Sequence, residues 1–81
     1  MARLVLLPGQ RAHTGGVGEV DVEARDYRAA VAELLRRYPR LPAAELERCT
    51  VAIDGEIVVS PFLESLGPHS TVVFVARIGA G

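Results

Sequence analysis

The chain has 81 residues, 49% of them hydrophobic and 23% charged, a balance that fits one small globular domain and neither a disordered nor a fibrous chain. A domain of this size buries only about 60–65% of its unfolded surface. That is too little to wrap a deep catalytic cavity and keep a core, so the expected mode of work is through the surface or the chain ends. Nine basic and ten acidic residues leave a net charge of −1. Every base is an arginine and only Arg36 and Arg37 adjoin, so nucleic-acid binding lacks its electrostatic footprint.

Without lysine the chain has no side chain for an isopeptide link or a Schiff base. The single cysteine, Cys49, excludes a disulfide framework, a cysteine-rich zinc site and an iron–sulfur cluster. The first apolar run, Leu4 to Leu7, stops at Pro8. It is too short for a signal-peptide core or a membrane span. The expectation is a cytoplasmic protein of one domain over residues 1–81, with no membrane, nucleic-acid or metal partner.

Residues 3–7 read as a first strand, closed by Pro8-Gly9. A polar, glycine-rich stretch from Gly9 to Gly18 reads as a long, mobile connection. Residues 19–23 alternate charged and apolar, the period-2 pattern of a strand with one wet face. Asp26 is placed to cap a helix running to about Tyr38. Its apolar positions Tyr27, Ala30, Val31, Leu34, Leu35 and Tyr38 trace one stripe at helical spacing, with Arg28, Glu33, Arg36 and Arg37 facing water. Pro39 ends it.

Residues 42–48 allow one or two more helical turns. Residues 50–53 and 56–59 flank Asp54-Gly55, a strong hairpin-turn pair. Residues 61–66 read as an irregular or 3₁₀ stretch, Gly67-Pro68 as a turn, and residues 71–78 as the last strand. Gly79-Ala80-Gly81 then forms a slender tail without regular structure. The expected class is α+β: a mixed sheet of four to five strands with one main helix on one face.

The first and last strands are apolar at both parities. Leu4 and Leu6 share one face and Val5 and Leu7 the other; Val72 and Phe74 oppose Val73 and Val75. One helix covers one face only. Val5, Leu7, Val73 and Val75 are therefore expected to form a bare patch where a partner docks; a weak homodimer through this face is a lesser expectation.

Catalytic constellations are lacking. His13 and His69 are far apart in turn-like contexts. Cys49 reads as a small core hydrophobe. Gly15-Gly16-Val17-Gly18 lacks the Lys-Ser/Thr of a phosphate loop and leads into a strand.

The ββαββ order, the helix ending in Tyr38-Pro39, the Asp54-Gly55-Glu56 hairpin and the apolar last strand running into a glycine tail resemble the ubiquitin-like β-grasp sulfur carriers. That group includes the small subunit of molybdopterin synthase and the thiamine and cysteine-biosynthesis carriers. Thr14-Gly15-Gly16 looks like its actinobacterial members. The resemblance implies that an activating enzyme uses ATP to adenylate the terminal glycine, here Gly81, and convert it to a thiocarboxylate. The sulfur then passes to an acceptor synthase, with Gly79 as the flexible approach. It also implies that the chain is a carrier and co-substrate rather than an enzyme, with no cofactor of its own. The family's penultimate glycine is Ala80 here, and one methyl in a glycine-shaped channel costs about 1–3 kcal/mol. The alternative reading is therefore an interaction module, or a small synthase subunit, that has lost tail chemistry.

Overall fold

A computed structural model of the chain describes residues 1–59 and 61–76. Five strands form one mixed sheet: β1 (Ala2–Val5), β2 (Glu19–Val22), β3 (Cys49–Ile53), β4 (Glu56–Val58) and β5 (Thr71–Ala76), in the order β2-β1-β5-β3-β4. β1 and β5 pair in parallel, and every other neighbouring pair is antiparallel. With α2 (Tyr27–Arg37) packed on one face, this is the expected α+β, β-grasp arrangement.

The helix α2 forms where its apolar stripe and caps agree. The Asp26 carboxylate accepts a hydrogen bond from the Ala29 amide at 2.7 Å, satisfying one of the donors a helix start leaves unpaired. Tyr27, Ala30 and Leu34 are buried, with Val31, Leu35 and Tyr38 half-buried beside them. They share one core cluster with Leu4, Val51, Val72 and Phe74 of the sheet and with Leu6, which follows β1. Each large side chain buried this way contributes about 1.5–3 kcal/mol. The start of the helix is also tied down from outside. Tyr27 donates its amide to the Glu64 carbonyl at 3.0 Å and Leu66 donates to the Arg25 carbonyl at 2.8 Å.

The β3–β4 turn is Asp54-Gly55, with φ of 51° and 87°. Two left-handed residues in succession are what a tight hairpin turn of the I′ kind requires. The Asp54 carboxylate then reaches the foot of β5, accepting from the Ser70 hydroxyl and the Thr71 amide, both at 2.9 Å. One turn thus fixes both its own hairpin and the start of the central strand.

The stretch after β1 differs from the expectation of a long, mobile connection. Its first part is a short helix, α1 (Pro8–Arg11), followed by a turn through residue 16. Gln10, only 1% exposed, accepts the Leu7 amide at 2.8 Å through its side-chain oxygen. The buried Thr14 hydroxyl donates to the Val17 carbonyl at 2.8 Å. The polar residues of this stretch close its own backbone, so it is built rather than loose. Residues 43–47 form α3 (Ala43–Glu47), as the allowance for extra helical turns anticipated.

Candidate functional site

β5 lies at the centre of the sheet, flanked by β1 and β3, and leads through Ala76 toward the last five residues. Gly79, Ala80 and Gly81 lie outside the described residues. Around the end of β5 stand Cys49, Gln10, Leu7 and Arg48. Cys49 pairs with Ala76 across the ladder. The Gln10 side-chain amide donates to the Cys49 sulfur at 3.1 Å, and the thiol donates to the Glu45 carbonyl at 3.2 Å. Leu7, Arg48 and Ala76 border a shallow hollow of 400 Å³ over this cluster. Cys49 therefore locks α1, α3 and β3 together, in line with a small residue partly within the core.

The sheet face opposite α2 can be read from the register. A single row crosses it: Glu19, Val5, Val73, Ala52 and Ile57. The neighbouring positions toward the end of β5 are Val75, paired with Thr50, and Leu7, which follows β1. Val5, Val73 and Val75 thus share the face that the alternation of β1 and β5 assigned to them. They are half-buried rather than bare, because cross-strand neighbours shade one another even on an uncovered sheet. Leu7 has a second task. It precedes α1 and packs against the core.

The row changes character along its length. On the β2 side, Arg3 lies 3.4 Å from Glu19 and 3.3 Å from Asp21, an exposed charged cluster. Toward β4 the face is apolar, ending in exposed Ile57. Beyond that edge lies a second feature that periodicity did not reveal. A groove of 450 Å³ runs between α2, α3 and the side chains of Val59, Pro61 and Phe62. Tyr27 lines it, its ring edge-on to Phe62 at 5.9 Å. Burial, with the Cys49 thiol a lesser contributor, pushes the Tyr27 phenol up to about 12. The apolar stretch from Ile57 to Leu63 was the available signal, since a three-residue edge strand has no need of so many exposed apolar neighbours.

Among the described residues no cluster of three or more metal-ligating side chains occurs, and no helix is long and apolar enough to cross a membrane. His13 lies half-buried in the turn after α1 and His69 lies exposed in the turn before β5.

No family model matches the chain, and no curated protein sequence matches it significantly. Among solved structures, the crystal structure of the Amycolatopsis orientalis BexX/CysO complex contains a chain that superposes with a TM-score of 0.82 at 19% sequence identity, covering 100% of both chains. The chain is similar in fold, over its whole length, to a protein crystallised as one component of a two-protein complex.

Proposed function

We propose that the chain is a sulfur-carrier protein whose Gly81 carboxylate is activated and loaded by a partner. In this reading a carboxylate oxygen of Gly81 attacks the α-phosphorus of ATP held by the activating enzyme, releasing pyrophosphate and forming an acyl-adenylate. Hydrosulfide or an equivalent sulfur donor then attacks the acyl carbon and AMP leaves, giving the thiocarboxylate. An acceptor synthase takes the sulfur. The carrier supplies position and a consumable terminus; the ATP and its chemistry belong to the partner.

One observation carries the proposal: β5, the central strand of a β-grasp sheet, is described to Ala76, five residues before Gly81 in the sequence. A strand flanked on both sides is the most firmly held element from which to extend a terminus into another protein's site. Glycine, lacking Cβ, passes where other residues cannot. The apolar row of Val5 and Val73, with Val75 and Leu7 beside it, is the face on which the activating enzyme docks. That the fold neighbour was crystallised in a two-protein complex supports a life spent bound to partners.

Incubation with ATP, sulfide and a cognate activating enzyme should raise the intact mass by the exchange of one oxygen for sulfur. No exchange in the native chain, with none in Ala80→Gly either, would overturn the reading. Ala80 favours one alternative, an interaction module on the same fold without tail chemistry. Such a module keeps its partner affinity when residues 79–81 are deleted, whereas a carrier loses all sulfur loading.

A further inference from the structure

Four of the six large apolar side chains that stand exposed among the described residues fall in one short stretch: Ile57 at 62%, Val59 at 91%, Phe62 at 54% and Leu63 at 92%. Such clustering on a small surface marks a contact site rather than ordinary scatter. Val59 and Phe62 form the lip of the groove, and Tyr27, Val31, Leu35 and Leu46 form its walls and floor. Phe62 does not swing freely, since it packs edge-on against the buried Tyr27 ring. The groove is thus preformed, which lowers the entropy cost of filling it.

Three observations select the occupant. First, Val59 at the lip and Leu63 just outside it are almost fully exposed, so a small molecule inside the groove would leave both in water. A protein segment covers both. Second, a second copy of this chain is a poor fit. Its matching patch offers three exposed apolar side chains, Val59, Phe62 and Leu63, because Ile57 belongs to the row on the other face, where a stable interface uses about 20–30 residues a side. Third, the surrounding charge is acidic. Glu47 is the one charged side chain among the described residues that line the groove, and no basic side chain lines it. Glu47 has no ion pair among the described residues. Two copies meeting here would bring acid to acid.

We propose that this groove docks an amphipathic segment of a protein partner, which inserts apolar side chains between α2 and α3 and sets arginine or lysine beside Glu47. The site lies beyond the β4 edge and is separate from the row through Val5 and Val73. A carrier docked by that row on one protein would still present this groove to another. The inference does not depend on the sulfur-carrier reading, because docking needs neither ATP nor Gly81.

The test uses the full chain and two synthetic amphipathic peptides with the same leucine positions, one with lysine and one with glutamate at the polar positions. Amide shifts followed by NMR should move saturably at Tyr27, Val31, Leu35, Leu46 and Phe62 with the lysine peptide and stay put with the glutamate peptide. Val59→Asp, at a fully solvated position that does not threaten folding, should weaken binding by roughly tenfold or more. Glu47→Gln should weaken it as well, whereas Glu19→Gln on the far edge should not. Equal binding of both peptides, shifts confined to other surfaces, or equal losses from Glu47→Gln and Glu19→Gln would overturn the proposal. So would a dimer in sedimentation that Val59→Asp abolishes, since the groove would then belong to a second copy.

Discussion

Strand β2 bounds the sheet on one side and β4 on the other, and the two edges carry opposite chemistry. On β2, Glu19 and Asp21 alternate with buried Val20 and Val22, and Arg3 of the neighbouring strand bridges both carboxylates. An edge dressed in charge repels the unpaired strand of another molecule. On β4, Glu56 is followed by exposed Ile57, and the chain continues into exposed Val59, Phe62 and Leu63. A domain this small has few places to put apolar surface without aggregating. Closing one edge with charge while leaving the other apolar implies that the open edge is meant to be covered.

The largest effect should come from confusing the two sides of β2. Val20→Asp sets a carboxylate in the core, where Val20 is 3% exposed, and should cost about 4 kcal/mol or more by chemical denaturation. That is most of the stability of a domain this size. Next is the phenol behind the groove. Tyr27 ionises near 10 when unfolded and near 12 when folded. The folded state holds that proton longer, so the contribution is intact below pH 10 and is lost as pH rises toward 12. The loss should be on the order of 2–3 kcal/mol. Tyr27→Phe should remove that part of the alkaline decline while leaving neutral stability nearly unchanged.

Smaller effects separate the turn and the charges. Gly55, at φ 87°, sits where a Cβ is strained, so Gly55→Ala should cost about 1–2 kcal/mol in thermal unfolding. Arg3→Gln removes two exposed ion pairs and should cost about 0.2–1 kcal/mol, a difference that fades in high salt. Val59→Asp should change stability by less than about 0.5 kcal/mol while abolishing the binding of apolar dyes at the β4 side. If Val59→Asp destabilised the fold as Val20→Asp does, the contrast between the edges would be gone.

What could be read from the residues was whatever rested on local pattern. The stripe from Tyr27 to Tyr38, with Asp26 before it and Pro39 after it, specifies α2 because caps and periodicity agree. Asp54-Gly55 specifies its hairpin because few other pairs tolerate two positive φ values in succession. The parity of Val5, Val73 and Val75 also follows from alternation alone. Their degree of exposure did not, since shading depends on which strands lie alongside. α1 was hidden because Pro8-Gly9-Gln10-Arg11 has no apolar stripe. Its turn is held by the buried Gln10 side chain, through the Leu7 amide and the Cys49 sulfur, a long-range contact that periodicity cannot report. The groove was hidden for a related reason. Residues 56–59 read as a strand whichever position they take, and only the order β2-β1-β5-β3-β4 makes them an edge.

Exchange of labelled pyrophosphate into ATP, catalysed by the cognate activating enzyme, reports acyl-adenylate formation at the carrier's terminus and nothing further downstream. Full-length chain should drive that exchange, and a chain lacking residues 79–81 should leave it at background. Exchange of equal size with the truncated chain, or background exchange with both the native chain and Ala80→Gly, would show that Gly81 is not where the chemistry happens.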